Sequence, residues 1–443
     1  MTHPAPRYLR QLPVTLAFLL LFSTFSCIRK NIKKEEAQDK PTEQPKTAAA
    51  ATSAPASTTI NQVNVFLEVS GSMKGFMPTN QANGITEFQQ TIDPLLATIQ
   101  QSNTIQDKAF FEVREKPYPI DYNKLAQTVR YGIQQAASST TIPAILDSII
   151  TNNPDGVNVL ISDFIYSPEN GRAVSFVSTD IYRVLTKAKQ QGQAISIFGA
   201  TSGFDGTFYP AVKSTQKTVA KCCDTPIPYY VWVIGKSEQV QLFNREVIKN
   251  TFPEEVHAGF AFTAPAYSVL DKFMPAGAWY CASGSNNCHE VAVSDLQSPL
   301  EMIVGINLAS LPPAFQSESY LKQNLKLTAD NTDAKITNIY PAGQFKTQAG
   351  VAGKNTDPLK PYTHFVKLRI SKLTAPQTDI HFSLANQRPA WVAQWTTPDD
   401  SRINEEGAKT FNLAGILDGV ERAFGTGANN SIFDVIINLR KEK

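Results

Sequence analysis

Five oxygen-bearing side chains in the first half of the chain could together hold a metal ion. Ser70 and Ser72 are two residues apart, so on an extended loop their hydroxyls project to the same side. Thr140 can add a third hydroxyl from a second loop, and Glu68 and Asp163 can add carboxylates. A shell of hard oxygens, some of them neutral, suits octahedral Mg²⁺, for which Mn²⁺ or Ca²⁺ can substitute. The spacing therefore predicts a divalent-cation site.

Two apolar runs, each typical of a buried strand, directly precede the two acidic residues of this set and would fix their positions. Residues 63–67 lead into Glu68, and residues 156–162 lead into Asp163. A helix with one apolar face is predicted between the two runs. Further strand and helix patterns continue the alternation along residues 181–248, with strands at 194–198 and 229–235. Nearly all-apolar strands that alternate with helices predict an α/β fold with a parallel sheet covered on both faces.

Three segments in this region resemble a known family. The segment 67–73, Leu-Glu-Val-Ser-Gly-Ser-Met, resembles the Asp-x-Ser-x-Ser metal-site signature of von Willebrand factor A domains. Residues 138–146 resemble the family's Gly-Gly-Thr loop, which opens a helix, and residues 159–163 resemble the strand that ends in Thr-Asp-Gly. The resemblance covers roughly residues 60–250. It implies a Rossmann-like fold and a bound divalent ion with an open position, into which an acidic side chain of a partner binds.

One position departs from that signature. Glu68 stands where the family has Asp, and its extra methylene moves the carboxylate by roughly one C–C bond length. Mg²⁺ demands near-ideal octahedral geometry. Glu68 either reaches the ion with altered geometry, or the site is weakened or empty.

The N-terminus is typical of an export signal. Arg7 and Arg10 precede an apolar run at 16–22, and small residues follow up to Cys27. This pattern resembles the lipobox of bacterial lipoproteins, with Thr24 where Leu is usual; a plain secretory signal is the alternative. We expect cleavage after residue 26, lipid anchoring through Cys27 to a membrane of the bacterial cell envelope, and a flexible tether over 27–60.

Four further cysteines form an even set, which in an oxidising compartment predicts disulfides. A bridge between Cys281 and Cys288 would leave Cys222 and Cys223 as a vicinal pair. The alternative ties both vicinal cysteines to the 281–288 segment. A zinc site that adds His289 or His257 is a third interpretation, although the spacing lacks Cys-x-x-Cys pairs.

The pattern changes after about residue 300. Period-two alternation, as at 364–370, predicts antiparallel strands of a β-sandwich-like domain. The complete predicted division is a signal peptide at 1–26, a lipidated tether at 27–60, a von Willebrand A-like domain at 61–250, a Cys-containing connector at 251–297, the sandwich at 298–400, and a C-terminal helix and strand at 401–443.

The charge balance and the missing motifs restrict the function. With 41 Lys and Arg against 39 Asp and Glu among 443 residues, the net charge of +2 argues against nucleic acid as a partner. The run Gly-Ser-Met-Lys-Gly at 71–75 is not a nucleophile elbow or a P-loop. We therefore expect a non-catalytic envelope lipoprotein that binds a protein partner through its cation site. A metal-assisted hydrolase and a structural module with a degenerate site are the alternatives.

Overall fold

A computed structural model describes most of the chain beyond residue 57. The described ranges are 58–80, 84–137, 141–166, 176–211, 218–223, 225–249, 251–253, 256–284, 287–348, 351–406, 409–425 and 431–442. The predicted signal peptide, Cys27, most of the tether and Thr140 lie outside them. Within these ranges, no helix combines the length and the apolar character needed to cross a lipid bilayer.

The first half of the described chain alternates strands with helices, as the sequence predicts. Its strands are β1 Ile60–Glu68, β2 Ile105–Val113, β3 Pro117–Ile120, β4 Val157–Ser162, β5 Gln193–Ser202, β6 Gly206–Phe208, β7 Val219–Cys222, β8 Ile227–Lys236 and β9 His257–Phe260. Its helices are α1 Glu87–Gln101, α2 Tyr122–Tyr131, α3 Ile142–Asn152, α4 Val177–Gln190 and α5 Ser237–Phe243, with a 3-10 turn at Ser72–Gly75 and a π-helical turn at Asn244–Ile248.

Seven of these described strands form one large sheet in the order β3-β2-β1-β4-β8-β5-β9. β2, β1 and β4 are parallel neighbours, whereas β8 is antiparallel to both β4 and β5. β3 and β9 are antiparallel edge strands. The parallel sheet that the sequence predicts is therefore wrong for β8, and the sequence did not predict the antiparallel edge strands β3 and β9. The described chain between β5 and β8 carries the hairpin β6–β7, and an antiparallel neighbour needs no crossover helix.

Both faces of the large sheet are buried, in agreement with the sequence. Val63, Val65 and Leu67 of β1 join a core cluster with α1, whereas Phe66 joins a second cluster with α3 and α4. Alternate residues of a strand point to opposite faces, so a strand between two helical layers is apolar throughout.

The second half of the described chain is richer in antiparallel strands. Its strands are β10 Tyr267–Leu270, β11 Ala278–Cys281, β12 Glu290–Asp295, β13 Leu300–Ile306, β14 Leu325–Ala329, β15 Thr332–Pro341, β16 His364–Leu373, β17 Gln377–Ala385, β18 Thr396–Thr397, β19 Thr410–Phe411 and β20 Ser431–Lys441. Its helices are α6 Pro313–Gln316, α7 Glu318–Asn324, α8 Ala342–Lys346, α9 Ala390–Gln394, α10 Ile403–Glu406 and α11 Leu413–Phe424, with a 3-10 turn at Asp357–Leu359.

These strands form two main sheets, in the orders β10-β13-β16-β15 and β11-β12-β20-β17-β14. All their pairings are antiparallel except that of β12 with β20. Leu368 of the first sheet and Phe382 and Ile437 of the second belong to the same hydrophobic cluster. The predicted period-two strands are confirmed, because their apolar residues face one shared core.

The C-terminal segment packs on the large sheet. α11 lies against α4, where a Cβ atom added at Gly419 would lie 2.5 Å from the carbonyl oxygen of Ser178. The ring of Trp391 lies 6.3 Å from that of Tyr230 in β8, and its indole N–H donates to the carbonyl of His257. Trp391 is thus a buried contact between α9 and the sheet rather than an exposed aromatic platform.

The cysteines adopt the first of the two pairings that the sequence leaves open. Cys281 and Cys288 lie at disulfide distance, with 5.7 Å between their Cα atoms, and Cys222 is paired with Cys223. His289 is occupied elsewhere, since its ring stacks on Tyr267 and contacts the carbonyl of that residue. Neither observation favours the zinc interpretation.

Candidate cation site

The four described residues of the predicted site lie where β1 and β4 end. Glu68 is the last residue of β1, and Asp163 directly follows β4. The two strands are parallel neighbours, with Leu67 opposite Ile161, so their carboxyl ends lie at the same edge of the sheet. The sequence prediction that Glu68, Ser70, Ser72 and Asp163 come together is consistent with this placement.

Ser70 and Ser72 form a pair of adjoining hydroxyls. Their Oγ atoms are 3.0 Å apart, and Ser72 begins a 3-10 turn in which the amide of Met73 donates to Ser70 Oγ at 3.4 Å. Ser70 also forms a parallel bridge with Ala137, whose amide donates to the carbonyl of Val69 at 2.8 Å. Ala137, the last residue of the 84–137 range, therefore lies beside Ser70. Thr140 lies outside the described residues.

Glu68 contacts β4 through a residue that sequence reasoning missed. Its carboxylate accepts a hydrogen bond from the hydroxyl of Ser162, and Ser162 Oγ accepts from the amide of Phe164 at 2.8 Å. Both Glu68 and Ser162 are buried. The available signal was the position of Ser162 at the end of an apolar run, directly before Asp163. This contact fixes the longer Glu68 side chain across the β1–β4 boundary.

Asp163 is a buried carboxylate with one incompletely satisfied oxygen. Oδ1 accepts from the amide of Ile165 at 3.0 Å, whereas Oδ2 has no hydrogen-bond partner and the residue is 1% exposed. Burial, and after it the charge of Glu68, raises the pKa of Asp163 to about 7. The nearby Ser72 hydroxyl and the Ile165 amide act in the opposite direction, and the charge of Asp400 adds to the increase.

The donor set fits a hard divalent cation. The unpartnered Oδ2 of Asp163 is what a missing positive ligand would leave behind, because a buried carboxylate oxygen is costly without a partner. The two serine hydroxyls supply neutral oxygens of the kind that Mg²⁺, Mn²⁺ and Ca²⁺ accept. Within the described residues no group of three or more His, Cys, Asp and Glu side chains could hold a metal, so any such ion would depend on hydroxyl and water ligands.

Residues 70–75, here called the serine turn, are contacted by a segment that follows β5. A Cβ atom added at Gly71 would lie 3.4 Å from the ring of Tyr209, and one added at Gly206 would lie 2.9 Å from the Cα atom of Gly75. The amide of Asp205 donates to the carbonyl of Gly75 at 2.9 Å. Tyr209 had no signal in the sequence that would have linked it to this site.

Asp400 is a third acidic residue near the site. It is 1% exposed, and its Oδ2 accepts from the amide of Ala211 at 2.8 Å. It lies 237 positions after Asp163 in the chain, within Thr-Pro-Asp-Asp-Ser at 397–401. That composition is typical of a turn, so sequence reasoning had no basis for assigning it to the site.

No family model matches this chain, and searches of the curated proteins and of the solved structures found no match either.

Proposed function

We propose that residues 61–250 form a von Willebrand A-like domain and that the chain is a non-catalytic lipoprotein of the bacterial cell envelope. Its function is to bind a protein partner through a divalent cation at the β1–β4 edge. The observation that carries the proposal is the buried, unpartnered Oδ2 of Asp163 beside Ser72 and Glu68. Among the described residues, no cation is among the groups that act on the Asp163 carboxyl, and a bound divalent ion would supply that positive charge.

The roles of the individual residues follow from their contacts. Asp163 would ligate the ion directly, and Ser70 and Ser72 would present their paired hydroxyls to it. Glu68, held by Ser162, would contribute charge and position water ligands. The ion, when bound, offers a coordination position for a carboxylate of the partner.

The proposed location rests on the sequence at the N-terminus and on the cysteines. The Arg7 to Cys27 pattern supports export and lipid anchoring, on the periplasmic side or at the cell surface. The Cys281–Cys288 pair supports an oxidising compartment.

One observation favours a second candidate, a metal-assisted hydrolase. A carboxyl group with a pKa of about 7, such as that of Asp163, can exchange a proton at neutral pH. The described histidines, however, contact other partners: His257 stacks on Phe198, His364 contacts Thr363, and His381 contacts Asp434. We therefore prefer the binding function.

Cation titration of the full-length chain, followed by capture of partners from envelope extracts, tests the proposal. Calorimetric titration with Mn²⁺ should show one site that Asp163→Asn abolishes and Ser70→Ala weakens by about tenfold or more. Asp180→Asn, on the exposed surface of α4, should leave the affinity unchanged. Captured partners should be lost with chelator and in Asp163→Asn, while folding is retained. Unchanged capture under both conditions would refute cation-dependent binding, and turnover of an ester or phosphate that disappears in Asp163→Asn would favour the hydrolase.

A further inference from the structure

The described residues of the cation site are covered by the chain itself. Glu68, Ser70, Ser72 and Asp163 are each less than a tenth exposed. A carboxylate from a partner could not reach an ion held by these side chains unless the covering residues moved. The identity of the covering residues therefore bears on how the site is used.

The first part of the covering layer is the segment 204–211, here called the cover segment. It meets the serine turn through the Tyr209 ring above Gly71 and the close approach of Gly206 to Gly75. Its backbone is held there by the bond from the Asp205 amide to the Gly75 carbonyl. Tyr209 itself is 42% exposed, so its ring contacts Gly71 and also reaches solvent.

The second part is Asp400, which connects the cover segment to the C-terminal part of the chain. Its Oδ2 accepts from the amide of Ala211, the last residue of the cover segment, at 2.8 Å. The loop that carries it is ordered by Asp399, whose Oδ1 accepts from the amide of Ser401 at 2.9 Å and whose carbonyl accepts from the hydroxyl of Thr397. Asp400 is thus bonded to the end of the cover segment, and it is close enough to Asp163 for its charge to act on that carboxyl group.

The chemistry of Asp400 distinguishes it from an ordinary covering residue. Burying a further carboxylate near Asp163 adds repulsion, which a cation in the site would convert into attraction. A partner's Asp or Glu would be drawn to the same ion for the same reason. Asp400 therefore carries the functional group that the proposed partner would use.

We propose that the cover segment and Asp400 close the cation site from within, with Asp400 as the chain's own acidic competitor for the position of a partner's carboxylate. This inference rests on the function proposed above. A partner then binds only when Tyr209 and the 397–401 loop move away from the serine turn. Phe204 and Phe208 remain in the core, where they are buried, so the movement is confined to Tyr209 and to the loop that carries Asp400.

Mn²⁺ and acetate serve as probes of this closure in the full-length chain. The relaxation rate of water protons reports how many exchanging waters a bound Mn²⁺ ion has, and acetate tests whether a carboxylate can displace them. In wild type, bound Mn²⁺ should increase the relaxation rate of water protons only slightly, and acetate should bind weakly. Asp400→Asn and Tyr209→Ala should each increase the enhancement and raise the acetate affinity about tenfold, as expected if roughly nine-tenths of the wild-type molecules are closed. Asp357→Asn, which changes an exposed carboxylate paired with Lys360, is the control and should behave as wild type.

The possible results separate this inference from the function on which it rests. If Mn²⁺ binds and Asp163→Asn abolishes binding, but both cover variants have the wild-type acetate affinity, the closure is refuted and the cation site stands. If neither wild type nor the variants bind Mn²⁺, both proposals fail. Tyr209→Ala keeps the test decisive even if Asp400→Asn does not fold, because Tyr209 is partly exposed and its removal leaves the core intact.

Discussion

At the scale of single residues, burial shifts the pKa values of two titratable groups in opposite directions, upward for Asp163 and downward for His257. Asp163 has carboxylate neighbours and an oxygen without a partner, so burial disfavours its charged form. His257 stacks on Phe198 at 4.3 Å, and neither of its ring nitrogens has a hydrogen-bond partner. Burial lowers the pKa of His257 to about 3. Each group makes the stability of the protein depend on pH, with opposite sign.

For the cation-free protein, Asp163 should make stability fall as pH rises. Its folded pKa of about 7 lies above the ordinary value of 3.8, so its contribution is complete below pH ~4 and lost through pH ~7. The full loss is on the order of 4 kcal/mol. Urea unfolding in chelator should show this fall in wild type and not in Asp163→Asn, and Mg²⁺ should restore stability at pH ~8. The same fall in both proteins would show that Asp163 is not its source.

For His257, stability should fall as pH decreases. Its folded pKa lies below the ordinary 6.5, so its contribution is present above that value and lost as pH falls toward 3, by about 5 kcal/mol at most. Unfolding of His257→Phe between pH ~7 and ~4 should show less acid sensitivity than wild type. His381→Gln, at a partly exposed ring beside Asp434, is the control and should retain the wild-type dependence.

At the scale of elements, close contacts between backbones decide where α11 and the cover segment can lie. Gly419 permits α11 to approach α4, and Gly75 and Gly206 permit the cover segment to approach the serine turn. A side chain at any of these positions would separate the two elements. Elsewhere, apolar faces without such contacts hold helices to the sheet, as α1 does with Phe88 and Ile92.

Substitution of Gly419 should separate α11 from α4. In Gly419→Ala the added methyl group would meet the Ser178 carbonyl at 2.5 Å, which should cost about 1–3 kcal/mol in the free energy of unfolding. Gly343→Ala, in α8 with open space around the added atom, should be neutral or slightly stabilising. Equal effects of the two substitutions on urea unfolding would contradict a tight α4–α11 crossing.

At the scale of the whole molecule, the described residues belong to one compact unit. The C-terminal segment contributes α11 and Trp391 to the layer over the large sheet, and it contributes Asp400, which bonds to Ala211 and acts by its charge on Asp163. Parts of the chain that are distant in sequence therefore depend on each other for burial. We expect unfolding to be cooperative across the α/β half and the antiparallel half.

Removal of Trp391 should destabilise the large sheet and the C-terminal segment together. Trp391→Ala should cost about 3–5 kcal/mol, because a nearly fully buried aromatic side chain between α9 and β8 is lost. Circular dichroism and hydrogen exchange should show the large sheet and the C-terminal helix α11 losing protection at the same denaturant concentration. Trp279→Ala, at a partly buried ring in β11, is the matched control and should cost less. Unfolding of α11 well before the sheet in wild type would contradict this coupling.

The sequence alone determined many of the strands and helices, among them β1, β4, β16 and α11, because burial imposes a period of two or a continuous apolar run on strands and a period of 3.6 on helices. Strands β2, β3 and β9 were not predicted. The sequence also determined that Ser70, Ser72 and Asp163 lie at one sheet edge, since parallel strands place their carboxyl ends together. Only the tertiary structure decided the direction of β8, the contact of Ser162 with Glu68, and the approach of Tyr209 and Asp400 to the site. These contacts join residues separated by 94 to 237 positions, and local patterns carry no information about such distant pairs. They arise from how the layers pack, which is why the shared sheet edge of Ser70, Ser72 and Asp163 was predictable and the approach of Tyr209 and Asp400 was not.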